Sequence, residues 1–331
     1  MAGFFVSNKN FLLHGIFSKC SKISLYICQP LAINQNMNIK KYAAIDIGSN
    51  AMRLLITNIV EQKDKETQFN KSALVRVPIR LGQDAFTVGE ISEENIDRMI
   101  DAMKAFKLLM KVHQVEKYIG CATSAMREAY NGQEVVNIIQ EKADIKIEII
   151  DGKKEAAIIA STDFNHLLKQ DKNYLFVDVG GGSTEFSLFA DGKIIASKSF
   201  KAGTVRLLND VVNDIVWQEI EKWIKNNTAD LDDVALIGSG GNINKIFKMS
   251  GKQLDKPLSF IYLNSQYAFL NSLTYEQRIA ELGLNPDRAD VIIPALRVYL
   301  NAMKWSNARN IYVPKIGLAD GIVKALYYSK I

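Results

Sequence analysis

Histidine and cysteine are scarce in this sequence, and neither residue type forms a cluster. The 331 residues include three of each, namely His14, His113, His166, Cys20, Cys28 and Cys121. This scatter suits neither a disulfide framework nor a zinc site, and it disfavours histidine-cluster metal hydrolases and Ser-His-Asp enzymes. A chain with this cysteine usage is expected in a reducing compartment, which predicts a cytoplasmic protein.

Long apolar runs and the Walker phosphate loop are also missing. No stretch reaches the roughly 18 uninterrupted apolar residues that a membrane-spanning helix needs, so we expect a soluble protein that has no membrane partner. The pattern Gly-x-x-x-x-Gly-Lys-(Ser/Thr) does not occur. Nucleotide chemistry of the P-loop type is therefore excluded.

A large excess of one charge is absent from most of the chain. The net charge is +5, but residues 1–36 contribute three lysines and no acidic residue, which leaves 38 basic and 36 acidic side chains, or +2, in residues 37–331. A nearly neutral body lacks the basic field of a nucleic-acid-binding protein. A polyanionic substrate would have to be held by local groups.

The first 36 residues show no helical or strand period. They also lack the apolar core and the small-residue cleavage site of a secretory signal. We expect the fold to begin near Met37, and we expect residues 1–36 to be disordered or not part of the fold. The alternative is a targeting segment.

A long internal repeat is the main feature that the sequence does contain. Each half opens with an apolar strand, at 42–47 and 174–179, which ends in Asp-(Ile/Val)-Gly-(Ser/Gly) and is followed by two more strands and then helices. A repeat of this length indicates duplicated domains. Two facing βββαβα units are the architecture of the actin-like fold, which also includes sugar kinases and Hsp70 and is ribonuclease H-like.

The repeat predicts an α/β protein with an interdomain cleft and sets its domain bounds. The N-terminal actin-like domain is expected over residues 37–158 together with 310–331, because the final helix would pack back on it. The C-terminal actin-like domain is expected over residues 159–309.

The two Asp-Gly turns carry the candidate chemistry. A strand that ends in Asp-x-Gly places a carboxylate at its tip, and the glycine turn exposes successive backbone N–H groups that can cradle phosphate oxygens. The carboxylate beside such a cradle can hold Mg²⁺. The alternative is a pair of ordinary hairpin turns with solvated aspartates, which the duplication makes less attractive.

Both turns resemble motifs of the Ppx/GppA phosphatase family, which comprises exopolyphosphatases and guanosine pentaphosphate phosphohydrolases. The first turn is Asp46-Ile-Gly-Ser-Asn-Ala-Met-Arg-Leu54 and the second is Asp178-Val-Gly-Gly-Gly-Ser-Thr-Glu185. Further resemblances are Ala122-Thr-Ser-Ala-Met-Arg127, Gly152-Lys-Lys-Glu155-Ala156, Gly238-Ser-Gly-Gly-Asn-Ile243 and Leu284-Asn-Pro-Asp-Arg-Ala-Asp-Val-Ile292. The resemblance spans about residues 40–328 and fits the short, two-domain form of the family.

The resemblance implies roles for named residues. Glu155 would be the general base that activates water, and Arg127 would stabilise charge on the transferred phosphoryl group. The implied Mg²⁺ ligands are Asp46, Asp178 and Glu185. The implied phosphate-binding residues are Gly48, Ser49, Asn50, Arg53, Gly180, Gly181, Gly182, Ser183 and Thr184. Without the resemblance, Glu155 could equally be a helix-start glutamate and Arg127 a surface ion-pair partner.

The sequence also departs from the family pattern. Many relatives carry two glutamates before the alanine, whereas here Lys154 precedes Glu155. The last helix carries Ala319-Asp320 where the family often has Arg-Glu, so a substrate contact or a domain-closing ion pair is expected to be absent or altered.

The function expected first is an exopolyphosphatase that releases phosphate by Mg²⁺-assisted attack of water. The alternatives are a guanosine pentaphosphate 5′-phosphohydrolase and, less favoured, an actin-fold kinase or an ATP-binding regulator. The near-neutral body argues against a long processive grip on polyphosphate. A homodimer is suggested by family analogy alone.

Overall fold

The computed structural model describes residues 37–160, 162 and 172–331. Residues 1–36, which were predicted to be disordered or not part of the fold, lie outside the described residues, as do residues 161 and 163–171. The described chain forms two sheets.

The first sheet contains three long strands and two short ones, with the order β3-β2-β1-β4-β5. The strands are β1 (Met37–Ile47), β2 (Met52–Gln62), β3 (Gln68–Val77), β4 (Lys117–Ala122) and β5 (Ile147–Ile149). β1, β2 and β3 form the predicted antiparallel meander, and β4 and β5 add parallel to β1.

The helices of this half are α1 (Leu81–Thr87), α2 (Glu93–Val112), α3 (Ser124–Glu128), α4 (Gly132–Ala143) and α5 (Gly152–Ala160). The Ser92 side chain caps the N-terminus of α2, since it accepts a hydrogen bond from the Asn95 amide. Two glutamates in its first turn add a favourable interaction with the helix dipole.

The second sheet repeats this order as β8-β7-β6-β9-β11, with one added edge strand, β10, beside β11. The strands are β6 (Tyr174–Val179), β7 (Thr184–Ala190), β8 (Lys193–Phe200), β9 (Ala235–Ser239), β10 (Leu258–Ser259) and β11 (Asn310–Tyr312). Strand directions match as well, because β6, β7 and β8 are antiparallel and β9 lies parallel to β6. The predicted duplication is therefore confirmed.

The remaining helices are α6 (Thr204–Leu208), α7 (Asp214–Thr228), α8 (Gly241–Met249), α9 (Phe260–Ser272), α10 (Tyr275–Ala280), α11 (Pro286–Ala289), α12 (Ile292–Trp305) and α13 (Leu318–Tyr327). Among the described residues, no helix is both long and apolar enough to span a bilayer.

Each sheet is buried on both faces, as the two-residue period of its central strands requires. In β1, Ala43, Ile45 and Ile47 face the helices of the first half, whereas Tyr42 and Ala44 face a core shared by both sheets. In β6 the odd-numbered residues face the second-half helices, and Tyr174 and Phe176 join the shared core. This shared core joins the two halves.

Helices α5 and α13 pack against each other within the shared core. Ile158 and Ile159 of α5 and Ile322 and Val323 of α13 are all buried there. At the crossing, a Cβ on Gly321 would lie 2.4 Å from the Ile158 carbonyl oxygen. Only glycine permits this approach of the two backbones.

One predicted domain assignment needs correction. The segment 310–331 was assigned to the N-terminal domain, but β11 pairs with β9 in the second sheet, where it takes the place that β5 has in the first. Only α13 follows the prediction, since it packs on β1, β2 and β4. The prediction failed for β11 because the chain first adds this strand to the second sheet and only then crosses to the first sheet with α13.

Replacing Gly321 with alanine should destabilise the protein by about 2 kcal/mol, because overpacking against a fixed carbonyl outweighs the gain of about 1 kcal/mol that alanine brings to a helix interior. Urea denaturation followed by circular dichroism measures the change. Gly317→Ala is the matched control, since a Cβ there meets nothing within 4 Å. Equal midpoints for the two variants would contradict the packing described for α5 and α13.

Candidate active site

A cleft of about 1050 Å³ runs between the two halves, and both glycine turns line it. The first turn, residues 48–51, joins β1 to β2, and the second, residues 180–183, joins β6 to β7. The actin-like duplication therefore brings the two turns to one place, although they lie far apart in the sequence.

The carbonyl groups of the first turn are held by the segment that begins α1. The Arg80 amide donates to the Asn50 carbonyl at 3.0 Å, and the Gly82 amide donates to the Ser49 carbonyl at 2.7 Å. The amides of Ser49 and Asn50 donate to no other residue in the described part of the chain. These two N–H groups are therefore available to an anion.

The second turn repeats this arrangement with α6. The amides of Thr204 and Val205 donate to the carbonyls of Gly180 and Gly181 at 2.9 and 2.8 Å. Within the described ranges, the amides of Gly181, Gly182 and Ser183 have no hydrogen-bond acceptor. In each half, therefore, the turn carbonyls accept hydrogen bonds from the start of a helix, and the turn amides remain free to bind an anion.

The two turns touch each other, and glycine is what allows the contact. A Cβ on Gly181 would lie 2.9 Å from the Ser49 Cβ and 3.1 Å from the Asn50 amide nitrogen. A Cβ on Gly182 would meet the Phe86 ring at 2.5 Å and the Ser124 Cβ at 2.6 Å. Next to this contact, the Ser49 hydroxyl and the Asn50 side-chain oxygen are buried and lack a hydrogen-bond partner.

Asp46, at the tip of β1, forms an ion pair with Arg53 on β2. The Arg53 Nη1 and Asp46 Oδ2 atoms are 2.7 Å apart, and these residues are directly opposite in the strand register. Burial acts to lower the pKa of Arg53, but the charge and hydrogen bond of Asp46 outweigh burial and raise it. The first half therefore compensates its own carboxylate.

The second half places an acid where the first half has Arg53. Asp178 on β6 is opposite Glu185 on β7. Burial raises the pKa of Asp178 to about 6, with a hydrogen bond from Ser239 opposing the rise. Burial, and then the charge of Asp178, raise the pKa of Glu185 to about 7. These two carboxylates carry an excess of negative charge that favours a cation.

Glu155 lies at the start of α5 and is buried within reach of these acids. Burial raises its pKa well above the usual range, and the charges of Glu185 and Asp178 add to the rise. Its Oε2 atom has no hydrogen-bond partner among the described residues, and the Arg127 Nη1 atom lies 3.9 Å away. A buried carboxylate of this kind is a strong base when it is ionised.

The three carboxylates predicted to bind Mg²⁺ do not converge on one point. Within the described residues, no three histidine, cysteine, aspartate or glutamate side chains are placed to hold a metal ion together. Asp46 is engaged by Arg53, and the Glu185 Oε1 atom accepts hydrogen bonds from Ser183 and Ser199. The arrangement fits an ion held by one or two carboxylates together with substrate oxygens and water, which is usual for Mg²⁺.

Two of the predicted site residues do not reach the cleft. Arg127 is not among its lining residues, and its Nη1 atom donates to the Ile150 carbonyl at 2.6 Å. Thr184 is fully buried, and its hydroxyl donates to the Ala202 carbonyl at 2.7 Å, so it cannot bind phosphate through that group. Of the predicted site residues, the others line the cleft.

The two departures from the family pattern have definite partners. Lys154 points away from the cleft and forms an ion pair with Glu148 at 2.5 Å. Asp320 pairs with Lys71 of β3 at 2.8 Å and also accepts from the Gly317 amide. An ion pair at the start of the last helix is therefore present, with aspartate as its acid.

Sequence reasoning missed the hydroxyl groups that position the acids. Ser199 of β8 donates to Glu185 at 2.9 Å, and the Ser124 and Ser183 hydroxyl oxygens are 3.1 Å apart across the halves. The Asp191-Gly192 turn, with positive φ at both residues, would by itself place Lys198 opposite Glu185. A register shift between Leu188 and Phe189 brings Ser199 to that position instead, so the turn alone could not identify it.

Basic side chains gather along the cleft, although the body of the protein is almost neutral. Eight line it, namely Arg53, Lys71, Arg76, Lys245, Lys248, Arg288, Lys315 and Lys324, against the five acids Asp46, Glu155, Asp178, Glu185 and Asp320. Three of the basic residues are held in ion pairs, Arg53 with Asp46, Lys71 with Asp320 and Arg76 with Asp287. The other five still outnumber the three remaining acids, and this balance favours an anion.

Comparison with known proteins places the chain in a family. Residues 59–329 match the Ppx/GppA phosphatase family. The chain belongs to that family, and it is a hydrolase of phosphoanhydride bonds.

Named relatives and solved structures agree with this placement. An exopolyphosphatase from Cytophaga hutchinsonii superimposes with a TM-score of 0.74 at 25% identity, over 88% of this chain and 98% of that one. Exopolyphosphatase 2 of Mycobacterium tuberculosis is 25% identical over 77% of this chain and 88% of its own length. The bifunctional 3-dehydroquinate synthase/phosphatase of Fusobacterium nucleatum is 30% identical over 76% of this chain. The matched region covers only 41% of that longer protein.

Gly181→Ala should weaken phosphate binding about tenfold, since separating the turns misaligns amide donors to a charged oxygen. Isothermal titration with orthophosphate measures the affinity, and thermal unfolding confirms that the variant is folded. An affinity equal to that of the parent protein would show that the contact between the turns does not shape the anion site.

Proposed function

We propose that this protein hydrolyses the terminal phosphoanhydride bond of inorganic polyphosphate and releases orthophosphate. The observation that carries the proposal is the pair of glycine turns, which present five free amide groups to one cleft beside the buried carboxylate of Glu155. Backbone amides suit phosphate oxygens, and a buried base suits the activation of water. The five basic side chains of the cleft outside the three ion pairs favour a substrate with several phosphates.

In the proposed reaction, Glu155 accepts a proton from a water molecule, and the water oxygen bonds to the terminal phosphorus. The bond from that phosphorus to the bridging oxygen breaks, and the shortened chain leaves with its electron pair. The amides of the two turns hold the equatorial oxygens, where charge develops during the transfer. Arg127 acts on Glu155 from 3.9 Å, where its positive charge favours the ionised base.

Asp178 and Glu185 are the residues that would hold Mg²⁺, which would neutralise charge on the substrate phosphates. Two uncompensated carboxylates beside a phosphate cradle would otherwise repel the substrate. The charge of Asp46 is neutralised by Arg53, so Asp46 is not needed as a metal ligand. Its proposed role is to hold the Arg53 guanidinium at the edge of the first turn.

The second candidate substrate is guanosine pentaphosphate, which would use the same turns and the same base. Among the described residues, basic side chains without an ion-pair partner extend beyond the turns along α8 and α13, at Lys245, Lys248 and Lys324, and this favours a chain of phosphates over a single nucleotide. A kinase reaction is disfavoured because a kinase needs an acceptor pocket and a catalytic aspartate on a loop, whereas the carboxylate at the centre of this site is Glu155 on α5.

Glu155→Gln should lower kcat for phosphate release by about 10²- to 10⁴-fold with little change in KM, since it removes the base and keeps the shape. Release is measured from polyphosphate and from guanosine pentaphosphate side by side. Glu148→Gln is the control, because Glu148 is an exposed glutamate of the same segment that pairs with Lys154. Release from the nucleotide alone would assign the second substrate, and full activity of Glu155→Gln would remove Glu155 from the mechanism.

Removal of divalent ions with a chelator should abolish phosphate release, and added Mg²⁺ should restore it. Calorimetric titration of Mg²⁺ into the substrate-free protein should show weaker binding than titration in the presence of pyrophosphate, since the carboxylates form no closed site by themselves. Tight binding of Mg²⁺ without a phosphate ligand would contradict this account.

A further inference from the structure

Arg206, the third residue of α6, makes three contacts close to the second glycine turn. Its Nε atom donates to the Gly182 carbonyl at 2.8 Å, and its Nη2 atom donates to the Glu128 carboxylate at 2.6 Å. The guanidinium carbon lies 3.7 Å from the centre of the Phe86 ring, and the side chain is only 11% exposed. It does not line the cleft.

The contacts of Arg206 join the two halves of the protein. Gly182 belongs to the second half, whereas Phe86 is in α1 and Glu128 ends α3 in the first half. Glu128 directly follows Arg127, the residue that faces Glu155. One guanidinium therefore links the phosphate turn of one half to the helix that carries Arg127 in the other.

The contact with Gly182 fixes the direction of an amide donor. A trans peptide is planar, so the carbonyl of Gly182 and the N–H of Ser183 point in opposite directions. The carbonyl is held by Arg206 and also by the Gly203 amide at 3.2 Å. The Ser183 amide, which has no acceptor among the described residues, is thereby directed to the opposite side of the peptide.

The surroundings require arginine. Its planar fork meets two acceptors at once while its face stacks on an aromatic ring, which a lysine ammonium cannot reproduce. Burial acts to raise the pKa of Glu128, but hydrogen bonds from Arg206 and Lys201 outweigh it and lower the pKa, so the partner carboxylate stays ionised.

We propose that Arg206 is a positioning residue for phosphoryl transfer, which holds the Gly182–Ser183 peptide with its N–H toward the substrate and ties this turn to α3. The inference rests on the proposed function, because the held turn is the one that would receive the substrate phosphates. Arg206 acts through this peptide and does not touch the phosphate itself.

The test compares Arg206→Ala and Arg206→Lys with the parent protein. Arg206→Ala should lower kcat about 100-fold with a smaller change in KM, since a displaced donor is felt most in the transition state. Guanidinium ion added to Arg206→Ala should restore part of the lost kcat, and Arg206→Lys should stay impaired. Lys201→Met is the matched control, because Lys201 donates to the same Glu128 oxygen at 3.0 Å but is 70% exposed.

A kcat within twofold of the parent value for folded Arg206→Ala, or an equal loss in Lys201→Met, would overturn the inference. If Arg206→Ala does not fold, Arg206→Lys carries the same comparison. If the parent protein releases phosphate from neither substrate, the proposed function fails. The role of Arg206 is then tested separately, by comparing the orthophosphate affinities of the parent protein and Arg206→Ala. A tenfold weaker affinity in Arg206→Ala supports the inference, and an unchanged affinity overturns it.

Discussion

The contact between the two glycine turns is the constraint on which the rest of the site depends. Each turn is anchored to its own half by amides of the helix that follows, so the approach of Gly181 to Ser49 fixes the halves relative to each other. Asp178 and Glu185 are already opposite each other within the second sheet, and the association of the halves adds Glu155 of α5 to them. Burial raises the pKa values of all three carboxyl groups, and their mutual repulsion contributes to the rise for Glu155 and Glu185.

The duplicated halves have the same strand order but opposite charges at one register position. Opposite the first aspartate, Asp46, stands Arg53, and opposite the second, Asp178, stands Glu185. At this register position the first half therefore has a compensated ion pair, whereas the second half has two acids. Under the proposed function, a phosphate group between the turns would have the Arg53 guanidinium on one side and the proposed Mg²⁺ on the other, which would suit a group whose charge shifts during transfer.

Local patterns made much of this architecture predictable. Strands and the Asp-x-Gly turns depend on neighbouring residues, and so the duplication and most of the residues that line the cleft could be predicted from the sequence. The position of β11 could not, because a strand of three residues is placed by the tertiary path of the chain. The orientations of the Arg127 and Thr184 side chains could not be predicted either, because each is fixed by a hydrogen bond to a backbone carbonyl, that of Ile150 and that of Ala202 respectively.

The path of the last segment has a consequence for how the chain folds. β11 completes the second sheet and α13 then covers the first, so both halves need residues that lie far along the sequence from their central strands. Contacts between β1 and α13 span most of the described sequence, and pairing over such separations is slow to form. The apolar face of the first sheet that α13 covers therefore stays open during synthesis until α13 has emerged.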